Sequence, residues 1–359
     1  MYSQASDEVI ELAELLGIPV GTTMTGKGSF PEIHPLSIGV IGARGGTSFS
    51  NKIIREADLI FYIGCNTDSA ATDKWTLPSF EEGKKIIHLD ISEAEAGNNY
   101  PTEVILISDA KATLRIMIDL IKSSVKKEKY SEKPLIKRIL KEKQEFEEKL
   151  KEYMELKDTF VNPLKFIAEL SKNVPSNHVI VTDPGVSAIY TSAFYKVKQA
   201  GRTIIFNYSL GALGYAIPAS VGAYFARPNS CIIALTGDGS FGFVAGELET
   251  ISRIGGNINI ILFNNQSFGW IRASIFFKYG PKYFATEFKP IDYIKIAEGF
   301  GLEAFRIVRS DDIEKVLRRT LYSTNPSFIE IVVRPEDKLV PPVPSWVMKA
   351  REMGIKYIY

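Results

Sequence analysis

The sequence predicts an α/β protein made of two doubly wound, mainly parallel-sheet domains joined by a charged helical linker. Short apolar runs of strand length alternate with amphipathic helical patterns, which is typical of parallel α/β sheets. A stretch rich in Lys and Glu separates two such regions, and 359 residues are enough for two domains of roughly 150 residues each. We expect a first domain over residues 1–122, a linker helix over 123–158, a second domain over 159–340 and a tail over 341–359.

The first domain is expected to begin with a helix over residues 6–16, with Ser6 as its N-cap and Gly17 at its end. A domain of this kind usually begins with a strand, so its first strand is either missing or supplied by another chain. The elements that follow are predicted to be four strands and a closing helix, over IPVGTT (18–23), 57–64, 84–91, 103–107 and 109–122.

The linker helix is indicated by apolar residues at helical spacing, namely Leu135, Ile139, Phe146, Leu150 and Tyr153. Charged residues occupy most of the positions between them. We interpret these charges as the solvated face of the helix.

The second domain is expected to open with a helix that starts at Asn162-Pro163, because Pro is favoured at the first helical positions. The tail contains LVPPVPSW (339–346) and is predicted to be extended. Between them, apolar runs predict strands over 178–183, 202–207, 231–236, 258–264 and 327–333.

Composition and charge exclude several classes of function. Lys and Arg number 43 against 42 Asp and Glu, so the chain lacks the positive charge of a protein that binds nucleic acid by bulk electrostatics. Two cysteines, Cys65 and Cys231, are too few for a disulfide framework or a cysteine zinc cluster, and both lie in apolar runs that predict buried thiols. No apolar run reaches the length of about 18 residues that a membrane span requires. Because the N-terminal residues also lack the layout of a signal peptide, we expect a cytoplasmic protein.

The most informative pattern lies within residues 231–270. The strand predicted over 231–236 ends in Gly237-Asp238-Gly239-Ser240, and the next strand ends in Asn264-Asn265. Ligand sites in open α/β sheets lie at the carboxyl ends of strands, so both polar clusters can face one crevice.

These residue types suit a magnesium diphosphate. Asp238 can supply a carboxylate, Asn265 an amide oxygen, and a backbone carbonyl near Ser267 a third oxygen ligand for Mg²⁺. The glycines on either side of Asp238 allow a ligand to come close to the backbone. The amides of Gly239 and Ser240 lie at the start of the next helix, where anions bind readily. The alternative interpretation is an ordinary strand-to-helix turn followed by an ordinary strand exit.

The Gly-Asp-Gly motif, the interval of 24 residues after it and Asn264-Asn265 resemble the fingerprint of thiamine diphosphate-dependent enzymes. Upstream of it, SLGALGYAIPASVGA (209–223) resembles the same domain of the acetolactate synthase family, and GTTMTGKGSFPEIHPLSIG (21–39) resembles that family's middle domain. The resemblance covers nearly everything except the linker. It implies thiamine diphosphate and Mg²⁺ as cofactors, and decarboxylation of a small 2-oxo acid with carboligation as the reaction.

Carried over to this sequence, the resemblance implies that Asp238, Asn265 and the Ser267 carbonyl hold Mg²⁺. Leu213 corresponds to the bulky residue that bends the cofactor, and the Gly211 carbonyl would accept a hydrogen bond from the cofactor's 4′-amino group. Leu213 can alternatively be a core leucine at the start of a helix. The complete set of residues implied to contact the cofactor is Ser187, Gly211, Leu213, Gly237, Gly239 and Ser240.

The resemblance does not extend to one domain. In this family a glutamate of an N-terminal pyrimidine-binding domain activates the cofactor, and the sequence contains no such domain. Three explanations are open: a split enzyme whose partner chain carries that domain, a mis-assigned start, or a truncated remnant. Because the family's full site forms between subunits, we expect a homo-oligomer, such a partner chain, or both, and neither a nucleic acid nor a membrane as a partner.

Two further departures concern substrate and flavin. Ser274 stands where acetolactate synthases have a tryptophan beside the acceptor pocket, although Trp270 is nearby. Asn66 stands where the family has an arginine that contacts FAD, which makes FAD doubtful. The alternative functions are a 2-oxo acid decarboxylase or 2-hydroxyacyl-CoA lyase, a non-catalytic cofactor-binding remnant, and a generic nucleotide-binding protein.

Overall fold

Parallel pairing between neighbouring strands is common to all the sheets of the protein. The computed structural model describes residues 1–124, 129–155, 159–335 and 337–355. Within these ranges the strands form sheets of two, three and six strands. Every named strand pair is parallel, which confirms the predicted α/β class.

The first domain divides its strands between two sheets. Its elements are α1 (Ser6–Leu16), β1 (Val20–Thr22), β2 (Ser37–Val40), α2 (Ser48–Glu56), β3 (Leu59–Ile63), a 3₁₀ turn (Phe80–Glu82), β4 (Lys85–Asp90), β5 (Val104–Ile107) and α3 (Ala110–Lys122). The strand β1 pairs only with β2, and β3, β4 and β5 form a separate sheet in that order. The sheet of this domain is therefore divided, because β1 and β3 are not hydrogen-bonded to each other.

Helix α1 has the predicted bounds but not the predicted cap. Ala5 is the N-cap residue and no side chain caps the helix, whereas Ser6, the expected cap, is already helical. Ala5 is buried in the core beneath the helix. The helix α1 therefore begins one residue earlier than a cap at the polar Ser6 would place it. Gly17 ends the helix as predicted, with a φ of 63° that glycine adopts without strain.

The linker contains a 3₁₀ turn (Tyr130–Glu132) and α4 (Pro134–Met154). Its apolar stripe includes Ile139 and Leu150, as predicted, but Leu135 is 47% exposed and Ile136 is buried in its place. The reason is that Ile136 belongs to the core cluster that contains Phe30 of the first domain.

The charges of α4 are only partly a solvated face. The Lys143 ammonium donates a hydrogen bond to the Ser37 carbonyl at 3.0 Å. Arg138 forms an ion pair with Glu56 of α2 at 2.8 Å. These contacts place part of the charged surface of the linker against the first domain instead of against water.

The second domain is built on the six-stranded sheet, in the order β10-β11-β9-β8-β6-β7. Its elements are α5 (Pro163–Asn173), β6 (His178–Thr182), α6 (Val186–Phe194), β7 (Ile204–Phe206), α7 (Ala216–Ala226), β8 (Cys231–Gly237), α8 (Asp238–Val244), α9 (Glu247–Ile254), β9 (Ile258–Asn264), α10 (Gly269–Tyr279), α11 (Tyr293–Gly299), β10 (Glu303–Ile307), a 3₁₀ turn (Ser310–Asp312), α12 (Ile313–Leu321), β11 (Ser327–Val332) and α13 (Pro344–Glu352).

Helices cover both faces of this sheet. Ile233 and Leu235 of β8 lie in the core cluster on one face, and Ile232 and Ala234 lie in the cluster on the other. Side chains alternate between the two faces of a strand, so both faces are apolar and the sheet is doubly wound, as predicted. The strand β10 was not predicted, because it lies at the edge of the sheet and only Ile307 of it is buried.

The C-terminal tail is not extended beyond Val343. It forms α13, with Pro344 in the first turn, where its fixed φ suits a helix. Trp346 of this helix stacks on Phe277 with ring centroids 5.6 Å apart, and Val347 and Ala350 are buried in the core of the second domain. Apolar packing thus overrides the extended conformation that the prolines suggested.

Two expectations from composition can be compared with the structure. Cys231 is buried as predicted, but Cys65 is only half-buried, and neither cysteine forms a disulfide. In the described part of the chain, no helix combines the length and the apolar character that crossing a bilayer requires.

A buried ion pair within the first domain makes hydrogen bonds to the second domain. The Lys27 ammonium is fully buried and donates to both carboxylate oxygens of Glu32 at 2.6 Å and to the Ser192 carbonyl of α6 at 2.9 Å. The same carboxylate accepts a hydrogen bond from the amide of Val197 at 2.9 Å. Residues of the first domain are therefore fixed directly against α6 of the second.

Candidate functional site

Three polar residues follow three neighbouring strands at one edge of the six-stranded sheet. Asp183 follows β6, Asp238 follows β8 and Asn265 follows β9. Because these strands are adjacent and parallel, their carboxyl ends meet at the same edge. The amide of Asn265 donates to Asp238 Oδ2 at 3.1 Å, so the two predicted polar clusters do contact each other.

Asp238 is a buried carboxylate, only 4% exposed. Its Oδ1 accepts a hydrogen bond from the Gly239 amide at 2.8 Å. Among the described residues, no Lys, Arg or His forms an ion pair with it. Burial raises the pKa of Asp238 to about 7, although surrounding backbone amides, including those of Gly239 and Asn265, act in the opposite direction. The carboxylate is therefore short of positive charge.

The loop after β9 presents further oxygen atoms beside this carboxylate. Asn265 Oδ1 accepts hydrogen bonds from the Ser267 amide at 3.0 Å and from its hydroxyl at 3.1 Å. The Ser267 carbonyl accepts from the Gly269 amide at 2.8 Å. Gln266, between them, has a φ of 55°, a left-handed conformation that is uncommon for a residue other than glycine. Such strain persists where neighbouring contacts impose it, as at functional sites.

A buried glutamate orients this loop, and the sequence analysis did not identify it. Glu330 of β11 is 1% exposed and accepts from the side-chain amide of Asn264 at 2.6 Å and from Arg306 at 2.7 Å. The contact turns Asn264 towards β11, while its neighbour Asn265 contacts Asp238. The only signal in the sequence was one acidic residue inside the apolar run SFIEIVV.

Asp183 is a second residue whose role was missed. Its carboxylate is fully buried and accepts hydrogen bonds from the amides of Tyr215 at 2.7 Å and Ala216 at 3.2 Å, and from the Thr236 hydroxyl at 2.7 Å. One side chain thus fixes the start of α7 and the last residues of β8 to the end of β6. The signal was a lone acidic residue after the apolar run HVIVT.

The remaining predicted cofactor residues lie around this carboxylate. Ser187 is buried in the first turn of α6 and donates its hydroxyl to the Asp183 carbonyl at 3.1 Å. Gly211 and Leu213 lie in the loop before α7, whose first amides Asp183 fixes. Leu213 is 39% exposed, so it is not the core leucine of the alternative interpretation.

Gly239 lies where the backbone of α8 closely approaches an aromatic side chain. A Cβ atom at this position would lie 2.8 Å from the Phe268 ring and 3.3 Å from Phe288. The two rings pack edge to face, with centroids 4.7 Å apart. The glycine therefore lets the start of α8 and the loop after β9 come together. Gly237 shows no comparable crowding.

The start of α10 packs against the first domain through Trp270. The Arg44 guanidinium lies 4.4 Å from the centroid of the Trp270 ring and donates a hydrogen bond to the Tyr208 hydroxyl. Trp346 packs on the same indole, with centroids 4.4 Å apart. The Ser274 hydroxyl donates to the Trp270 carbonyl within the helix. Trp270 is therefore a contact between the two domains beside the candidate site.

The donor chemistry fits a magnesium ion. No group of three His, Cys, Asp or Glu side chains in the described ranges could hold a metal ion. The predicted ligands are instead the buried Asp238 carboxylate, the Asn265 side-chain oxygen and the Ser267 carbonyl, which are connected through backbone hydrogen bonds. All three supply oxygen, the ligand type that Mg²⁺ prefers. A bound cation would also supply the positive charge that Asp238 lacks.

Comparison with known proteins gives matches over most of the chain. Residues 1–117 match the family described as the central domain of thiamine pyrophosphate enzymes, and residues 183–331 match the C-terminal binding domain of those enzymes. A probable acetolactate synthase large subunit of Methanocaldococcus jannaschii is 33% identical over 95% of the chain and 58% of its own length. The acetolactate synthase large subunit of Cyanidium caldarium is 31% identical over 99% of the chain and 60% of its length. The chain thus spans less than two thirds of these relatives.

Replacing Gly239 by Ala is expected to destabilise the fold, because the added Cβ collides with Phe268. The free energy of unfolding, measured by urea denaturation, should fall by about 1–3 kcal/mol. Gly242 lies in the same helix with open space around its Cα, so Gly242→Ala should stabilise the helix by about 0.5–1 kcal/mol. Equal changes in the free energy of unfolding for the two variants would contradict the crowding between a side chain at position 239 and Phe268.

The stability of the protein is expected to depend on pH through Asp238. Its pKa is raised in the folded state, so its contribution to stability is complete in acid and is lost as pH rises from 3.8 towards about 7. Asn cannot titrate, so the wild type should lose stability relative to Asp238→Asn by up to about 1.4 kcal/mol per pH unit in this window. Urea unfolding of both proteins across that range measures the difference. A constant difference would show that Asp238 does not titrate there, and Asp7→Asn, at an exposed position of α1, serves as the control.

Proposed function

Because the chain belongs to the thiamine pyrophosphate enzyme family, of which it contains the central and C-terminal domains, we propose that it is the diphosphate-binding part of an acetolactate synthase-type enzyme. Thiamine pyrophosphate is the same compound as thiamine diphosphate. The observation that supports the proposal most directly is the buried carboxylate of Asp238, which has no cationic partner among the described residues and lies beside Asn265. The names of the relatives support the reaction type.

In this proposal, Asp238, Asn265 and the Ser267 carbonyl hold Mg²⁺, and the metal in turn holds the diphosphate. The amides of Gly239 and Ser240, at the start of α8, face the anion. The Gly239 amide donates to Asp238 in the structure, so the loop must share this donor or turn it towards the ligand. Metal binding requires an ionised carboxylate. Because the pKa of Asp238 lies near neutrality, metal binding would release a proton from this side chain.

The loop before α7 orients the cofactor in this proposal. Leu213 would pack against the cofactor and the Gly211 carbonyl would accept a hydrogen bond from it, while Asp183 fixes the two residues that follow Gly214. When bound, thiamine diphosphate supplies the electron sink for decarboxylation of a 2-oxo acid and joining of the remaining fragment to a second carbonyl. The residues of the chain bind and orient the cofactor and exclude water from the site.

Exposed apolar side chains around this loop support the proposal that another polypeptide surface covers it. Leu210 is 93% exposed and Phe243 of α8 is 66% exposed. Phe243 lies beside the loop that carries Leu210, because a Cβ on Gly214 of this loop would lie 3.1 Å from the Phe243 Cβ. We propose that a pyrimidine-binding domain, from a partner chain or another subunit of a homo-oligomer, covers them and supplies the activating glutamate. The proposed location is the cytoplasm, consistent with the two free thiols.

Binding of thiamine diphosphate tests the cofactor assignment. Titration calorimetry with Mg²⁺ present should show binding to the chain, and Asp238→Ala should weaken it by about 100-fold or more, because a metal ligand is lost. Asp7→Ala should stay within about twofold of the wild type. Leu213→Ala should weaken binding more than Leu210→Ala, whose side chain is almost fully solvated. Unchanged affinity of the Asp238 variant would reject the site.

Product analysis tests the reaction type. We expect the native complex to convert pyruvate to acetolactate in the presence of thiamine diphosphate and Mg²⁺. Acetaldehyde as the main product would instead identify a decarboxylase. Binding of the cofactor without turnover by the native complex would identify a cofactor-binding remnant.

A further inference from the structure

The loop after β9, which carries two of the predicted Mg²⁺ ligands, pairs with residues 283–288, which we call the returning segment. Ser267 and Glu287 face each other across an isolated antiparallel bridge. The Phe268 amide donates to a carbonyl of the returning segment at 2.8 Å, and the Gln266 carbonyl accepts from one of its amides at 2.8 Å. The backbone is thus held on both sides of the Ser267 carbonyl, which is a predicted metal ligand.

The left-handed conformation of Gln266 depends on the same pairing. Its φ is 55°, and its carbonyl is the one that accepts from the Phe288 amide. The rings of Phe268 and Phe288 pack edge to face across the bridge. Because uncommon backbone conformations persist where neighbouring contacts impose them, the returning segment is one of the contacts that maintain the shape of the loop.

Arg272 of α10 anchors the returning segment. Its guanidinium donates a hydrogen bond to Glu287 and lies 3.9 Å from the centroid of the Tyr283 ring. It also donates to both carboxylate oxygens of Asp337, at 2.8 and 3.3 Å. The Tyr283 hydroxyl donates to the same carboxylate at 2.7 Å. One side chain therefore joins α10, the returning segment and the chain that follows β11.

The ion pair at the centre of this cluster is buried and charged. The Asp337 side chain is fully buried and that of Arg272 is 13% exposed. Burial acts to raise the pKa of Asp337, but hydrogen bonds from Arg272 and Tyr283 outweigh it and the pKa lies below its ordinary value. Asp337 is therefore ionised at neutral pH. Two hydrogen bonds from a planar guanidinium fix the direction of both groups, which a lysine cannot do.

Arg272 acts at the opposite end of the loop from Glu330. Glu330 accepts a hydrogen bond from Asn264, the last residue of β9, and so fixes the residue before Asn265. Arg272 follows the loop and fixes the segment that is paired with Ser267. The loop is therefore supported by a buried acidic residue at its start and by a buried ion pair beyond its end.

We propose that Arg272 is a positioning residue for the metal site: through Asp337, Tyr283 and Glu287 it holds the returning segment, which in turn fixes the Ser267 carbonyl. This proposal rests on the proposed function, because it concerns the same Mg²⁺ site. It adds a basis for metal specificity. Mg²⁺ requires nearly ideal octahedral geometry at short distances, whereas Ca²⁺ accepts flexible geometry at longer ones. A loop that is held in place favours Mg²⁺, and a loosened loop loses this preference.

The choice between Mg²⁺ and Ca²⁺ tests the positioning role. Titration calorimetry of the full chain with thiamine diphosphate gives the concentration of each metal that half-saturates cofactor binding. Arg272→Lys keeps the charge but loses the fork, so the half-saturating Mg²⁺ concentration should rise by about tenfold, and that of Ca²⁺ by a smaller factor. The matched control is Arg253→Lys, in an exposed pair with Glu249, which should change either value by less than about twofold.

Two milder variants keep the test decisive if Arg272→Lys does not fold. Tyr283→Phe retains the ring beneath the guanidinium and removes only the hydroxyl that donates to Asp337. Glu287→Gln alters a side chain that is 65% exposed and weakens its contact with Arg272. Each should raise the Mg²⁺ requirement relative to the Ca²⁺ requirement, but by less than Arg272→Lys does. Circular dichroism of all variants verifies folding, and excess Mg²⁺ should restore cofactor binding.

The outcomes separate this proposal from the proposed function. Equal weakening of Mg²⁺ and Ca²⁺ in the folded variants would show a general structural role and overturn the positioning role, as would an unchanged Mg²⁺ requirement. If the wild type binds the cofactor in a manner that depends on Asp238 but not on Arg272, the proposed function stands and the positioning role fails. A wild type that binds no thiamine diphosphate with either metal would refute both.

Discussion

The parallel pairing of β6, β8 and β9 is the constraint on which the candidate site depends. It brings Asp183, Asp238 and Asn265 to one edge of the sheet, although more than 80 residues separate the first from the last. The register is fixed by side chains that are buried on both faces of each strand, so a shift by one residue would exchange the two apolar clusters. The position of the polar edge is thus a consequence of apolar packing far from it.

At this edge the protein keeps a carboxylate in an unfavourable environment. Backbone amides donate to Asp238, but no side-chain cation among the described residues compensates its burial, and its pKa rises towards neutrality. The same turn includes a left-handed Gln266 and a glycine that tolerates no Cβ beside Phe268. A divalent cation would relieve the electrostatic part of this strain, which is why these features together favour a binding site over a structural turn.

Patterns local to one strand or helix predicted most elements, and the rule that parallel strands end at one edge predicted the contact between Asp238 and Asn265. What could not be predicted depends on residues distant in sequence. Glu330 and Asp183 act through partners on other strands, and β10 lacks an apolar run because it is an edge strand. The tail forms a helix because Trp346 finds aromatic partners in the second domain. The break between β1 and β3 agrees with the absence of a strand before α1, which the order of elements had already indicated.

Helix α6 connects the first domain with the exposed apolar loop of the second. The Lys27 ammonium holds the Ser192 carbonyl near the end of α6, and α6 begins just after Asp183, the residue that fixes the loop carrying Leu213. Breaking such a buried ion pair by removing one partner typically costs about 3–5 kcal/mol. The Lys27–Glu32 pair therefore stabilises the surface of the first domain that contacts Ser192 and Val197.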